Sequence, residues 1–425
     1  MEKIDNEDEL AYGEAFAEVR ASRADLLVYF YARALQILKP DGWLAFITSN
    51  SFTKRKYGEG LRQYLADQMT IKRVMDFGEV KVFDATVEPY VLIGHKTAPN
   101  SDTTVKGHNL YPLLARELAN RGSLERVREE IQRLPDHLAA EVSVFPQNRL
   151  TGSEWRIEDE GINRLFERLM NQGKPLGEFV NGRIYMGVKT GLNEAFVIDQ
   201  AKRDELVEED SHSSEIIKPW LRGKDIGRWK AEPSGLYIIF TSRGVDIEKY
   251  PAILEHLKWF RGDLEKRATA DVHPWYELQQ PQEGIYHEFA VPKIIWPDIA
   301  REVRFASDVD GSYLDMTCFT IPTGPQYLLA LLNSDLTEFL LCQLTSTLRG
   351  GFLRPKRQYM TRLPIVTPNR TMQRQLATIA TSGVAGKPVG QDKLNEIVYE
   401  LYGLSPAEVR LVEEWFERRS LVGAS

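Results

Sequence analysis

The spacing of apolar side chains predicts that residues 23–96 alternate between helices and strands. Apolar positions from Leu26 to Leu38 recur every three or four residues, which is the spacing of one helix face. The segment 39–42 (KPDG) is expected to end this helix, because proline lacks a backbone donor and glycine allows a turn. The apolar run at residues 43–48 then predicts a short buried strand.

A second helix and two further strands continue the pattern. A polar loop is expected at residues 49–58, followed by a helix at about 61–69. Strands are expected at residues 71–77 and 90–95, and the short loop between them allows antiparallel pairing. Helices between short apolar strands indicate an α/β fold with a largely parallel or mixed sheet, covered on both faces.

The pattern of predicted helices and strands changes near residues 145–147. A polar stretch with a helix expected at about 113–134 precedes this point. Short strands, many turns and large aromatic residues follow it, which is typical of a mixed α+β domain. The C-terminal residues predict a helical pair, with one helix at 392–402 and another opened by Ser405-Pro406-Ala407-Glu408. We therefore expect domains at residues 1–148, 149–370 and 371–425.

The charge is distributed unevenly along the 425 residues. The net charge is −7, yet residues 339–391 contain no Asp or Glu and eight Lys or Arg, which leaves −15 for the rest. Local basic clusters matter more for nucleic-acid binding than the total charge does. The acid-free stretch also fits a solvated basic surface, which is the alternative interpretation.

Other compositional features narrow the class of protein. No apolar run approaches the roughly 20 residues of a membrane span, and the acidic, polar N-terminus is unlike a secretory signal. The two cysteines and seven histidines show no metal-ligand spacing, so no metal site is expected. A cytoplasmic protein without membrane partners is the expectation.

Six segments resemble, in this order, the C-terminal half of an adenine-specific DNA methyltransferase followed by a TaqI-like specificity domain. That combination occurs in type IIG restriction–modification enzymes and related phage-defence methylases. The segments that carry the resemblance are 24–50, 74–96, 187–198 (GVKTGLNEAFVI), 293–299 (KIIWPDI), 332–334 (LNS) and 348–365 (LRGGFLRPKRQYMTRLPI). The resemblance implies a partial methyltransferase (Rossmann-like) sheet, then a target-recognition domain that helps to enclose double-stranded DNA.

The resemblance also implies roles for residues of the first domain. Asp25 and Phe30 resemble positions beside the cofactor S-adenosylmethionine, with Phe30 packing near its adenine. Phe83 resembles the aromatic residue that stacks on the extruded target base. The alternative interpretation is a Phe that packs in the core where a loop meets a strand, because the local sequence would be the same. Extruding a base costs a few kcal/mol, which stacking partly offsets.

Two elements that methyl transfer needs are missing from the sequence. There is no Asp/Asn-Pro-Pro-Tyr/Phe loop to accept the amino hydrogens, and no glycine-rich turn to approach the cofactor. Glu88-Pro89-Tyr90 is a chance fragment of the former, and residues 58–60 (GEG) are interpreted as the turn that opens a helix. In the family both elements precede the position of Ala24. The chain is thus expected to start after the catalytic loop, and not to bind S-adenosylmethionine tightly alone.

Three groups of residues are candidate DNA contacts. Cationic side chains suit phosphates and guanine edges, polar ones suit phosphates or base edges, and glycine allows close approach of the backbone. A solvated loop and a β-turn are the alternative interpretations of the first and second group. The groups are Lys54, Arg55 and Lys56; Lys189, Thr190 and Asn193; and Arg349, Arg354, Lys356, Arg357 and Tyr359.

Three hypotheses follow from the sequence. The first is the DNA recognition portion of an adenine-specific methyltransferase, which binds DNA but does not methylate it alone. The second is a subunit of a split methyltransferase, active when a partner chain supplies the cofactor half. The third is a non-enzymatic interaction scaffold whose basic stretch binds an acidic protein. Salt-dependent affinity for duplex DNA separates the first two from the third.

Overall fold

A computed structural model describes most of the chain. The described residues are 11–12, 14–22, 24–78, 83, 87–110, 142–158, 160–269, 271–322, 324–345 and 352–423. In these ranges, no helix combines the length and the hydropathy that crossing a membrane requires. The described residues separate into two compact units, the first comprising those up to residue 167 and from 406 onward, and the second those in the ranges 168–345 and 352–405.

The first unit is built on a mixed five-stranded sheet in the order β1-β3-β2-β4-β5. Its strands are β1 (Trp43–Ser49), β2 (Thr70–Asp76), β3 (Pro89–His95), β4 (Thr104–Asn109) and β5 (Ser143–Pro146). Strand β3 pairs antiparallel with both β1 and β2, while β2 and β4 run parallel. The expected α/β fold and the antiparallel pair are confirmed.

Helices of the first unit pack with this sheet. Leu26–Ile37 ends before the turn at Asp41, whose backbone φ is 60°, as expected from the KPDG segment. The face it buries carries Val28, Tyr31 and Leu35, which pack with apolar residues of β1 to β3 in one core. The helices of this unit are Leu26–Ile37, Ser51–Lys54, Glu59–Gln68, most of Glu160–Met170, and Pro406–Gly423.

The expectation of a polar loop at residues 49–58 is wrong. This segment forms the helix Ser51–Lys54 and a 3-10 turn at Lys56–Gly58. Phe52 is fully buried, and Arg62, only 3% exposed, donates hydrogen bonds to the carbonyls of Phe52 and Arg55. A Cβ at Gly58 would lie 2.1 Å from the Phe52 carbonyl oxygen. Distant packing thus folds a segment whose local sequence is polar.

The second unit is a mixed α+β structure with several small sheets, as expected. Two of them have the strand orders β10-β13-β12-β15-β7 and β14-β9-β11-β8, and β6 pairs with β16. The strands are β6 (Lys174–Pro175), β7 (Tyr185–Met186), β8 (Val197–Asp199), β9 (Ile217–Leu221), β10 (Trp229–Lys230), β11 (Leu236–Ile239), β12 (Lys293–Pro297), β13 (Ala306–Asp308), β14 (Tyr313–Leu314), β15 (Cys318–Pro322) and β16 (Pro364–Ile365).

Helices of the second unit surround these sheets. The helix expected at residues 392–402 is present as Gln391–Leu401, and Gly403 follows with a backbone φ of 59°. The helix expected at about 113–134 lies outside the described residues. The helices of this unit are Leu176–Phe179, Asn193–Phe196, Gln200–Glu209, Pro251–Lys258, Arg261–Leu264, Gln326–Leu332, Asp335–Leu344, Arg357–Met360, Arg370–Val384 and Gln391–Leu401.

A buried ion pair joins β12 to β13. The side chains of Lys293 and Asp308 are almost fully buried, face each other across the strand pair and form a direct salt bridge. The Lys293 ammonium also donates to the Phe289 carbonyl at 2.6 Å, and Asp308 accepts from the Ser312 amide at 2.9 Å. Burial lowers the pKa of Lys293, while Asp308 acts in the opposite direction. The pair fixes the register of two strands whose ends border the groove described next.

Candidate nucleic-acid interface

The basic segment 352–357 is held against the end of β12. The Trp296 ring is fully buried, and its Nε1 donates to the Pro355 carbonyl at 2.7 Å. Ala300 and Leu353 form an antiparallel bridge, with hydrogen bonds of 3.2 and 2.7 Å. These contacts place Arg354 and Lys356 beside the turn that follows β12.

A surface groove of about 380 Å³ opens at this turn. Its walls come from the residues after β9 and β12, before β13 and β15, and at the start of a short helix. The residues that line it are Asn193, Arg222, Gly223, Lys224, Pro297, Asp298, Ile299, Arg304, Asp315 and Thr317. Cationic, acidic and amide side chains therefore converge on one concave surface, which is a chemistry suited to polar ligands.

Some of the charged groups in the groove are already engaged. Arg222 donates to Asp225 through Nε at 3.1 Å and Nη2 at 3.4 Å, and Nη2 also donates to Ser234 at 2.8 Å. The Asp315 carboxylate accepts from the Thr317 amide at 2.9 Å and from its hydroxyl at 2.6 Å. These two groups shape the groove and have fewer free positions for a ligand.

Asp298 and Arg304 are less fully engaged. No other side chain of the described residues donates a hydrogen bond to the Asp298 carboxylate, which accepts one from its own amide; burial raises its pKa, and Lys356, Arg354 and that amide act to lower it. The guanidinium of Arg304 donates to the Gly223 carbonyl at the long distance of 3.4 Å. Its Nε is buried and has no hydrogen-bond partner among the described residues. Both side chains therefore retain capacity to bind a ligand.

The segment Lys189–Asn193 contributes unequally to this surface. Asn193 lines the groove and begins the helix Asn193–Phe196, so the segment is not a simple β-turn. Thr190 is buried; its hydroxyl donates to the Asn193 side chain and its carbonyl accepts from Arg267 at 3.0 Å. Lys189 pairs through its backbone with Gln280. The structure brings only Asn193 of this group into the groove.

The predicted basic residues near position 354 differ in exposure: Arg354 and Lys356 are half-buried. Arg357 is exposed, and its Nη2 approaches the Gly182 carbonyl at 3.5 Å. Tyr359 is half-buried within the helix Arg357–Met360, which Lys356 precedes. Arg349 lies outside the described residues.

In the first unit, the predicted aromatic residues are exposed. Phe30 is 65% exposed and Phe83 is 47% exposed, so both rings offer a face for stacking. The Asp25 carboxylate accepts from the Leu27 amide at 3.2 Å and caps the helix Leu26–Ile37. Asp25 therefore stabilises the start of this helix, a role that does not depend on binding a cofactor.

Lys54, Arg55 and Lys56 lie near a polar cluster at one edge of the first sheet. Lys54 ends the helix Ser51–Lys54 and is half-buried, whereas Arg55 and Lys56 are exposed. The cluster is formed by Asn50, which donates to the Asp76 carboxylate at 3.2 Å, and by Glu88. Burial raises the pKa of Glu88, while Asn50, Lys54 and Arg55 act to lower it.

Sequence reasoning missed Arg222, Lys224, Arg304 and the role of Asp298 in the groove. These residues are separated by up to 82 positions, and each follows or precedes a short strand. The usable signal is a charged residue directly after an apolar run, as in Trp296-Pro297-Asp298, where β12 ends. This pattern does not reveal which strand ends meet.

Comparisons with known proteins agree with this architecture. Residues 1–83 match the family of Eco57I restriction-modification methylases, and residues 218–365 match the TaqI-like C-terminal specificity domain. The resemblance drawn from the sequence is confirmed. All groove residues except Asn193 lie within the second match.

Relatives and a solved structure extend the likeness over most of the chain. The type II methyltransferase M.BstVI of Geobacillus stearothermophilus is 24% identical, over 93% of this chain and 70% of its own. M.XhoI of Xanthomonas vasicola is 25% identical, over 92% of this chain and 70% of its own. The type IIL restriction-modification enzyme MmeI, solved in complex with DNA, superposes with a TM-score of 0.62 at 12% identity.

These comparisons establish homology to type II restriction–modification methyltransferases that carry a specificity domain. The superposition on MmeI covers 99% of this chain and shows a shared fold. The chain spans only 55% of the length of MmeI.

Proposed function

We propose that this chain supplies the sequence-specific DNA recognition of an adenine-specific methyltransferase in a restriction–modification or phage-defence system. The observation that carries the proposal is the groove, where side chains able to read base edges lie beside Arg354 and Lys356. Base-edge contacts specify a sequence, and cationic contacts to phosphates position the protein on the duplex. The match to a specificity domain supports the same assignment.

In the complete enzyme, S-adenosylmethionine would supply the methyl group. The described residues fit this cofactor only in part, because Phe30 offers an exposed ring while the Asp25 carboxylate caps a helix. The sequence also contains no Asp/Asn-Pro-Pro-Tyr/Phe loop. We therefore assign no step of methyl transfer to these residues and propose that the chain alone binds DNA without methylating it.

Phe83 would act on the target base once the base has left the duplex. Stacking on an aromatic ring contributes about 1–3 kcal/mol per base and tolerates any base. The half-exposed ring of Phe83 supports this role. Lys54, Arg55 and Lys56 would contact phosphates or pack beside the strand that carries the flipped base.

Fluorescence anisotropy with labelled duplex DNA tests the proposal directly. We expect the purified chain to bind duplex DNA with an affinity that falls steeply as salt rises, and to prefer a subset of sequences. The matched control is a denatured sample of the same protein. Absence of binding would contradict the proposal and favour the interaction scaffold. Binding with no sequence preference would contradict a recognition function.

An uncovered apolar surface favours a second candidate, the subunit of a split methyltransferase. Within the described residues, β1 pairs only with β3 and forms an edge of the sheet. Trp43 is 62% exposed and Ile47 is 48% exposed on one face of β1, and Ile37 is also largely exposed. Contiguous exposed apolar residues on an edge strand favour pairing with another chain.

Complementation of activity tests this second candidate. A chain carrying the missing motifs should produce methylation of random duplex DNA when mixed with this protein, and neither should do so alone. Trp43→Ser with Ile47→Ser should abolish complementation while leaving DNA binding intact. Complementation that survives this double substitution would show that the edge is not the contact.

A further inference from the structure

The groove contains a guanidinium and a carboxylate, the two kinds of group that can together recognise a C·G base pair. In the major groove, guanine presents two acceptors, O6 and N7, and its cytosine partner presents the N4 amino donor. A guanidinium pairs with the guanine acceptors in a bidentate manner, and a carboxylate accepts from the cytosine amino group. A C·G pair is therefore recognised by an Arg and an Asp that lie on the same surface.

Among the cations that line the groove, Arg304 is the one suited to a base edge. Arg222 is held by Asp225 and Ser234, and Lys224 is an exposed ammonium without the planar fork. Arg304 has a single long hydrogen bond and a buried Nε without a partner among the described residues. Because Nε is buried, a base edge would be met by the two Nη atoms, and Nη2 makes only that long hydrogen bond among the described residues.

Asp298 is the matching acceptor. Asp315, the other carboxylate in the groove, already accepts two hydrogen bonds from Thr317. Asp298 accepts no hydrogen bond from another side chain of the described residues, only from its own amide, and lies within electrostatic reach of Arg354 and Lys356. A carboxylate repels phosphates, so an Asp near the proposed phosphate-binding cations is well suited to accept from the amino group of a base.

We propose that Asp298 and Arg304 together read one cytosine–guanine base pair of the recognition sequence. Arg354 and Lys356 hold the duplex by its phosphates and reduce the repulsion between Asp298 and the backbone. This inference rests on the proposed DNA recognition function and names residues that determine its specificity.

Selection from a pool of randomised duplexes tests the assignment. The unmodified protein, Asp298→Asn, Arg304→Gln and the control Asp263→Asn are each allowed to select, and the bound duplexes are sequenced. Asp263 is an exposed carboxylate of the same unit, paired with Lys266, so this control removes an equal charge. The unmodified protein and the control should select the same consensus, including a C·G position.

Both groove variants should lose preference at that same base pair and at no other. The loss should be about 5- to 150-fold in discrimination, the range for one well-formed base contact. Asp298→Asn removes the negative charge and replaces one acceptor oxygen by a donor; since such an amide suits adenine, the preference for cytosine should fall. Thermal unfolding serves as the second measurement: Asp298→Asn should be no less stable, since burial raises the pKa of this carboxyl and a neutral residue avoids that penalty.

The possible failures are distinguishable. If the unmodified protein selects no consensus, the proposed function and this inference both fail. If it selects a consensus that both folded variants retain at every position, the inference alone is overturned. If the two variants lose discrimination at different base pairs, Asp298 and Arg304 do not act as a pair and the inference is also wrong. Should either variant fail to fold, the other variant decides.

Discussion

Replacing Arg354 and Arg357 by glutamine should flatten the salt dependence of DNA binding without unfolding the protein. Each phosphate that a cation neutralises adds about −0.9 to the slope of log affinity against log salt. If both side chains contact phosphates, the double variant should show a slope smaller by about 1.8. Between about 50 and 200 mM salt, the variant should then lose roughly tenfold less affinity than the unmodified protein.

The structure predicts how the two single variants should differ. Arg357 is exposed and has one long contact at 3.5 Å, so Arg357→Gln should change the slope by about 0.9 and leave stability nearly unchanged. Arg354 is half-buried and influences Asp298. If Arg354 reads a base rather than a phosphate, its substitution should change discrimination at one base pair by about 1–3 kcal/mol instead.

Fluorescence anisotropy across a salt series, with thermal unfolding of each protein, provides the measurement. Arg374→Gln is the matched control, because Arg374 is exposed on the helix Arg370–Val384 and belongs to the same acid-free stretch. An unchanged slope and unchanged affinity in the double variant would refute the reasoning and leave this stretch a solvated surface. An equal change of slope in the control would show that these arginines act through the overall electrostatic potential of the protein and not through direct phosphate contacts.

Three further predictions concern the cofactor, the target base and the core. Titration calorimetry should detect no micromolar binding of S-adenosylmethionine to the purified chain; such binding would contradict the incomplete fit at Asp25 and Phe30. In a reconstituted active enzyme, Phe83→Ala should lower methylation more than duplex binding, and equal losses would assign Phe83 to packing. Lys293→Met should lower the free energy of unfolding in urea by about 3–5 kcal/mol, because it leaves the Asp308 carboxylate buried and unpaired; a loss below about 1 kcal/mol would contradict this.

Elements with strong local patterns could be predicted from the sequence. The helix Leu26–Ile37, strand β1 and the KPDG turn between them were placed in this way. The expectation that β1 is buried is wrong, because it ends the described strand order and leaves Trp43 and Ile47 largely exposed. The helix Ser51–Lys54 could not be predicted, because its order depends on the burial of Phe52 and on hydrogen bonds from Arg62. Propensity is a weak guide where such tertiary contacts decide.

The candidate interface was predictable only in part, for a related reason. The basic segment is visible as a cluster of cations in one stretch of sequence. The groove instead assembles Asn193, Arg222, Asp298 and Arg304 from strand ends that lie far apart in the chain. No local pattern records which strands are neighbours, since sheet order results from long-range packing. The sequence also did not show that Thr190 is bonded within the protein. Its hydroxyl donates to the Asn193 side chain, which depends on the backbone conformation of residues 190–193.

The attachment of the basic segment to β12 has a consequence for how new specificities arise. The hydrogen bond from Trp296 to Pro355 and the bridge between Ala300 and Leu353 bind two segments that are about 50 residues apart in the chain. A recombinant protein that inherits residues 352–357 from one parent and residues 296–300 from another would combine two segments that did not evolve to pack against each other. Functional chimaeras should therefore exchange both segments together. The unit that is exchanged when DNA specificity changes would then consist of two separate stretches of the gene.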